Sequence, residues 1–310
     1  MRKTLMIFSV MMAMTGCHYT FDIEKTGLET ELCIRSLVCA DSTVSILMHK
    51  AVPITDVAEL DTTLISPMLT LKCNGDEIET TVSCAENGGR RFTTDAFKAG
   101  DRLEIIAGAE GVETVMASTV IPEEFPPYEI HDFGILPSNN STDEQRAILS
   151  YNDNPETDDF YGVSVEILLG YHYSNSTEIF WSSSTVYPGE GYDNLELDPN
   201  AYSPTIGEIE GKKVYIWKDI EADGGYEIRF KSSHGNVRIV EKRTRFCLYK
   251  FSEELYKTLK ADFEAGYNPM FYIGFATPSF TYTNIDGGLG YFGAYSKTYS
   301  DWIIEKNSNE

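Results

Sequence analysis

The sequence has few basic residues and lacks the motifs by which many enzymes and metal proteins are recognised. It has 25 Lys and Arg against 48 Asp and Glu, a formal net charge of −23 over 310 residues. Because nucleic-acid binding needs a basic surface that neutralises phosphates, the sequence predicts no nucleic-acid partner. It contains no His-Glu-x-x-His, Gly-x-Ser-x-Gly or Cys-x-x-Cys motif. These absences predict a protein that is not an enzyme and that holds no metal or cofactor.

Long apolar runs are also scarce, and the clearest one lies at the N-terminus. Leu5–Met14 is apolar except for one serine, but it is shorter than the ~20 residues that span a bilayer. It is therefore typical of a signal peptide, which we assign to residues 1–16. The run ends in Met-Thr-Gly-Cys17, which resembles the bacterial lipobox and implies lipid attachment at the Cys17 thiol. The alternative is a secreted protein with a coincidental cysteine. Residues 17–28 are predicted to form a tether.

Cysteines are few, and an exported chain can oxidise them. After Cys17, five remain, an odd number. Cys73 and Cys84 flank a predicted hairpin and are the candidate disulfide pair, although four cysteines already allow three connectivities. The other three are Cys33, Cys39 and Cys247.

Short strands separated by turn signals dominate residues 29–122. Asn74-Gly75, between two such strands, is a strong hairpin signal. Turns every 8–15 residues, with no helical period, predict an immunoglobulin-like β-sandwich that ends at a proline cluster, Pro122, Pro126 and Pro127. The predicted strands include Glu31–Val38, Thr43–His49, Met68–Cys73, Glu77–Cys84, Leu103–Ala107 and Val112–Val120.

Residues 128–305 are predicted to form a second β-rich domain with one short packing helix, which makes the fold mainly β. The helix begins after Ser252, a good N-cap residue, and places Leu255, Leu259 and Phe263 on one face before Gly266. The predicted strands of this domain include Phe160–Tyr171, Thr177–Trp181, Lys213–Trp217, Tyr226–Lys231 and Val237–Leu248.

Aromatic residues are concentrated in a polar, loop-rich stretch of the second domain. Such rings either bury themselves in a local core or offer a stacking surface for a glycan or a peptide. The candidate ligand-stacking residues are Tyr171, Tyr173, Trp181, Tyr187 and Tyr192.

Two acidic clusters and one glycine motif have a functional and a structural interpretation each. Asp153, Glu156, Asp158 and Asp159 could supply oxygen ligands to calcium, as could Asp193, Glu196 and Asp198, but neither set has EF-hand spacing, so solvated loops are favoured. Gly288-x-Gly290-x-x-Gly293 matches the dinucleotide fingerprint, but the sequence after it is not typical of a helix. A tight strand crossing is the favoured interpretation.

Residues 284–295, Asn-Ile-Asp-Gly-Gly-Leu-Gly-Tyr-Phe-Gly-Ala-Tyr, resemble the C-terminal signature of a family of Bacteroides-type outer-membrane lipoproteins, catalogued as domain of unknown function 4249. The segments 97–101 and 117–122 and the helix after Ser252 are similar to that family as well. Its expected Asn-Tyr-Tyr after the acidic loop is Asp159-Phe160-Tyr161 here.

The resemblance implies an outer-membrane location through a lipid anchor, on the periplasmic or the surface-exposed side. It also implies an accessory or binding role beside a TonB-dependent outer-membrane receptor, and it transfers no catalytic residue. The alternative is a structural or adhesive cell-surface protein without a small-molecule ligand.

Overall fold

The computed structural model describes residues 30–51, 62–136, 142–152, 154, 156–172, 178–188, 194–197, 205–218, 226–233, 238–266 and 282–306. The strands of the first part are β1 Glu31–Cys39, β2 Thr43–Ala51, β3 Met68–Cys73, β4 Asp76–Ile78, β5 Thr81–Cys84, β6 Arg90–Ala96, β7 Arg102–Ala109 and β8 Val112–Val120. Those of the second part are β9 Tyr128–Leu136, β10 Thr142–Tyr151, β11 Phe160–His172, β12 Ile179–Pro188, β13 Asn194–Leu197, β14 Thr205–Ile209, β15 Lys212–Lys218, β16 Tyr226–Ser233, β17 Arg238–Phe251, β18 Leu289–Tyr299 and β19 Ile303–Lys306. Helix α1 is Glu253–Gly266, and Glu86–Gly88 forms a short 3-10 turn.

Two sheets enclose the first hydrophobic core. One layer has the order β4-β3-β7-β8, and the other has β5-β6-β2-β1-β18. Alternate residues of each strand point inward, as in β2, where Val44, Ile46 and Met48 are buried. Leu71 and Leu103 meet them from the opposite layer. The mainly β fold and its sandwich are thus confirmed.

The last long strand of the chain completes this first core. β18 pairs in parallel with β1, from Cys33 beside Leu289 to Cys39 beside Tyr295. Its Phe292 is fully buried among the side chains of the N-terminal layers. The predicted domain boundary near residue 122 did not include this contribution, so the first core is built from both ends of the chain.

The second core lies inside the continuation of the larger sheet. The order runs from β18 through β17, β11, β12, β13 and β16 to β10 and β9, with β19 beside β17 and the β14–β15 pair beside β11. Leu149 of β10 and Ile228 of β16 pack with Val163 of β11 and Phe246 of β17. Strands at opposite ends of this sheet therefore face each other across a shared interior.

Helix α1 packs on the outer face of the larger sheet, opposite to the first and second cores, and covers a third hydrophobic cluster there. The Ser252 hydroxyl accepts a hydrogen bond from the Leu255 backbone N–H at 3.3 Å, which confirms the predicted N-cap. Leu255 lies against Gly293 of β18, and Leu259 lies against Gly207 of β14. The helix thus covers the middle of the outer face and leaves areas on both sides of it uncovered.

The predicted hairpin forms, but the strand after it was predicted wrongly. Asn74 and Gly75 both have positive φ, 53° and 94°, as a two-residue hairpin turn requires. The predicted strand Glu77–Cys84 is two strands, because β4 pairs with β3 whereas β5 pairs with β6 in the other sheet. The chain crosses between the layers at residues 79–80 with neither Gly nor Pro to mark the break.

Candidate functional site

Two of the predicted stacking residues can be placed. Tyr171 lies near the end of β11, and Trp181 lies on β12, so both belong to paired strands and not to a loop. Tyr187 is in β12, but its side chain lies outside the described residues, as do Tyr173 and Tyr192.

Tyr171 and Trp181 lie on opposite faces of the sheet. Trp181 is the cross-strand partner of Gly170, whereas Tyr171 is the partner of Phe180. Cross-strand partners share a face and successive residues alternate, so the two predicted residues cannot form one surface. The Tyr171 and Phe180 rings are 6.4 Å apart on the inner face. The prediction of a single stacking surface containing both was wrong.

Trp181 lies on the outer face, and its indole is positioned by glycine and arginine. A Cβ built on Gly170 would lie 3.0–3.2 Å from three atoms of the six-membered ring, so this ring covers the glycine. The Arg243 guanidinium lies 4.7 Å from the ring centroid. The side chain is nevertheless 45% exposed. These neighbours therefore hold the large Trp181 ring in one orientation at the protein surface.

Further aromatic and cationic side chains continue from Trp181 across the outer face. Arg243 and Arg245 are two residues apart on β17 and point to the same side. The Arg245 guanidinium lies 4.2 Å from the Tyr299 ring centroid and 4.6 Å from that of Trp302. We call this row the aromatic–arginine strip; its members are Trp181, Arg243, Arg245, Tyr299 and Trp302.

Carboxylates fix the arginines of the strip. Glu241 accepts a hydrogen bond from Arg243 at 2.5 Å, and Glu166 is bonded to Arg245 at 2.6 Å and to Lys212 at 3.0 Å. Burial alone would raise the pKa of Glu166, but the hydrogen bonds from Lys212 and Arg245 outweigh it and lower the pKa. Glu166 is therefore an ionised anchor for two cations.

The glycine motif lies beside the helix and holds the two ends of the fold together. Gly290 has φ +97°, and a Cβ there would collide with the Ile34 carbonyl oxygen of β1. The Asn284 amide group donates to the Phe292 carbonyl oxygen at 2.8 Å and accepts from its N–H at 2.9 Å. Because the segment continues as β18 and no helix begins there, the dinucleotide alternative does not fit. The favoured strand-packing interpretation is confirmed.

The same segment carries the family signature. The family model described as a domain of unknown function, DUF4249, matches residues 18–301. The chain belongs to this family. No curated protein matches it. The DUF4249 match begins directly after Cys17 and includes α1 and four members of the aromatic–arginine strip, and it ends one residue before the fifth, Trp302.

In this DUF4249 chain, two acidic residues of the 152–159 loop pair with lysines. Asp158 pairs with Lys218 at 2.8 Å, and Asp159 pairs with Lys250 at 2.9 Å. Among the described residues no cluster of three or more His, Cys, Asp or Glu could hold a metal ion. Asp153, Asp193 and Asp198 and the side chain of Glu196 lie outside the described residues.

The cysteines of this DUF4249 chain that the structure describes are free thiols, so the predicted Cys73–Cys84 disulfide is not formed. Cys73 is on β3 and Cys84 is on β5, in different sheets. Cys247 is buried, and burial raises the pKa of its thiol. Cys17 lies outside the described residues. No helix in the described part is long and apolar enough to cross a membrane.

Sequence reasoning missed four members of the strip. Arg243 and Arg245 stand out only when the segment Glu241-Lys242-Arg243-Thr244-Arg245 is divided into its two faces, one of which carries both arginines. Tyr299 is the last residue of the signature strand and Trp302 follows it. Neither carries a local signal that connects it with Trp181, about 120 residues earlier.

Proposed function

We propose that this DUF4249 chain is an outer-membrane lipoprotein, anchored through Cys17, that serves as an accessory or binding component of a TonB-dependent surface uptake system. In this proposal the aromatic–arginine strip holds the ligand, a glycan or a peptide. The observation that carries it is Trp181, which is 45% exposed although Gly170 and Arg243 hold its ring in place.

Rigid, exposed aromatic side chains support a binding role. A ring held by its neighbours loses little conformational entropy when a ligand stacks on it. Arg243 and Arg245, which are already oriented by Glu241 and Glu166, add planar hydrogen-bond donors beside the rings. Sugars and peptides both combine apolar and polar groups, and the strip offers both kinds of contact.

Binding without catalysis is the better account of the strip. Glu166, which binds Arg245 of the strip, is held by two cations that lower its pKa, whereas a general acid needs a raised value. The proposal therefore assigns no reaction to this site.

The N-terminal sequence supports the lipid anchor. The apolar run is too short to span a bilayer and leads directly to Cys17. Two or more acyl chains hold a protein stably at a membrane. Replacing Cys17 with serine should move the protein from the membrane to the soluble fraction, and an unchanged distribution would contradict the anchor.

The ligand can be tested with a pair of adjacent variants. The mature protein is screened against glycan and peptide arrays, and hits are measured with Trp181→Ala and Phe180→Ala. Phe180 is 43% exposed but points to the opposite face. We expect Trp181→Ala to weaken binding about tenfold, ~1.4 kcal/mol, and Phe180→Ala to have little effect. Absence of any hit, or equal effects of both variants, would reject the strip as the binding site.

A second candidate function, a structural or adhesive role, is favoured by a different surface. The outer face of the β4-β3-β7-β8 sheet exposes four apolar side chains, Met68, Ile106, Met116 and Val120. Contiguous exposed apolar residues are typical of protein contacts. This role predicts stable complexes with envelope proteins in detergent extracts, weakened by Met116→Lys and unaffected by Trp181→Ala. If a TonB-dependent receptor is present in these complexes and only Trp181→Ala removes it, the result would support the first function.

A further inference from the structure

A groove of about 640 Å³ lies on the outer face of β1, β2 and β6, on the other side of α1 from the strip. Its volume is in the range of small-molecule sites, roughly 300–1,000 Å³. The lining includes Cys33, Arg35, Leu47, His49 and Arg91. The groove is thus a concave surface on rigid strands, separate from the site of the proposed function.

Strand register places two arginines in one row of this groove. Arg35 of β1 pairs with Leu47 of β2, and Leu47 pairs with Arg91 of β6. Two strand spacings put the arginine Cα atoms about 10 Å apart on one face. His49 is two residues from Leu47 on that same face. Three nitrogen-bearing side chains therefore surround one leucine, and both guanidinium groups can reach a single anion above it.

The charge of this groove is opposite to that of the protein. Acidic residues outnumber basic ones by nearly two to one in the chain, yet Glu86 is the one acidic residue among those that line the groove. Both arginines are exposed. Within the described part of the chain, neither forms an ion pair; Arg91 donates to the Ser45 hydroxyl at 2.7 Å. Asp262 of α1 and Tyr291 of β18 also experience the charge of Arg35.

We propose that this groove binds a phosphate group. A phosphate has several acceptor oxygens, and two guanidinium groups can approach them from opposite sides. Each guanidinium group can bind the phosphate through two parallel N–H donors. The negative charge of the remaining surface makes non-specific attraction of anions weak, so binding depends on the cations that line the groove, the two arginines and Lys50. The phosphate belongs either to a soluble phosphorylated molecule, as a monoester, or to a lipid headgroup, as a diester.

The test titrates the mature protein with inorganic phosphate, glucose 6-phosphate and the diester glycerophosphoglycerol, followed by calorimetry or by NMR shifts. We expect Arg35→Gln/Arg91→Gln to weaken binding at least about tenfold. The control, Lys72→Gln/Arg102→Gln, removes the same charge from the other sheet of the sandwich and should change binding less than about twofold. Equal melting temperatures establish that both variants fold.

The outcomes distinguish the sources and can overturn the proposal. Tighter binding of the monoester assigns the groove to soluble phosphorylated molecules, and tighter binding of the diester assigns it to headgroups. No saturable binding of any of the three probes overturns the proposal. Equal losses in both double variants overturn it too, because binding would then follow net charge alone. Each result is independent of Trp181 and therefore of the proposed function.

Discussion

Gly290 of β18 packs directly against the backbone of Ile34 in β1, with no room for a side chain between them. Its φ of +97° is also one that residues with a Cβ rarely adopt. Two independent requirements, space and backbone conformation, thus meet at one residue of the family signature.

Gly290→Ala is expected to destabilise the protein strongly. A positive φ costs a residue with a Cβ about 1 kcal/mol, and displacement of the Ile34 carbonyl should raise the total loss to at least about 3 kcal/mol. Gly75→Ala is the matched control, because Gly75 has φ +94° and no atom within 4 Å of the added Cβ. Urea unfolding of both variants measures the difference, and similar losses would show that the close approach is unimportant.

Ser252→Ala should loosen the contact between helix α1 and β18. The buried hydroxyl accepts hydrogen bonds from the N–H groups of Leu255, at 3.3 Å, and Ala294, at 3.1 Å. Loss of both leaves two backbone donors without partners and should cost about 2 kcal/mol of unfolding free energy. Ser252→Thr retains the oxygen and should recover most of the stability. A fully stable alanine variant would contradict the bridging role.

Glu166→Gln should reduce stability at pH 7 by about 2 kcal/mol, because Lys212 and Arg245 lose their charged partner. The pKa of Glu166 is lowered in the folded state, so its contribution is complete above the unfolded value near 4.3 and is lost as pH falls through the folded value. The difference between wild type and variant should therefore shrink below about pH 4.

The control for this measurement is Glu104→Gln, which breaks an exposed pair with Arg102 and should cost under about 1 kcal/mol. Stability curves from pH 3 to pH 7 provide the test. A difference for Glu166→Gln that grows as the pH falls would contradict the sign of the pKa shift.

Thiol labelling should separate the cysteines by burial. Cys84 is exposed, whereas Cys247 is buried and has a raised pKa. At pH 8 without reductant, iodoacetamide should modify Cys84 within minutes and Cys247 only after unfolding. Mass spectrometry of peptides gives the order. If Cys84 is labelled only after reductant is added, the result would indicate a disulfide between Cys84 and Cys73.

Local signals explain which parts of the fold could be predicted. The turn at Asn74-Gly75 and the cap at Ser252 depend on residues close in sequence, and the structure has both. The division between β4 and β5 depends on which sheet each strand joins, a choice that the uninterrupted sequence Glu77–Cys84 does not encode. Strand existence was therefore easier to predict than strand pairing.

The site was only partly predictable for the same reason. The aromatic residues were identified by their density along the chain, but density does not assign the faces of a strand, and Tyr171 and Trp181 were grouped although they lie on opposite faces. The alternation of side chains between the two faces of β11 and β12 could have separated them. Contact of Arg245 with Tyr299 and Trp302 required the positions of β17 and β18 in three dimensions.

The parallel pairing of β1 with β18 joins segments that are about 250 residues apart in the chain. A polypeptide synthesised from its N-terminus presents the first of these segments long before the second emerges. Until then, β1 has a vacant edge where β18 will bind, and the first core lacks Phe292. An unpaired strand edge can bind another chain, so the protein is most open to non-native strand pairing before its C-terminal part has been made.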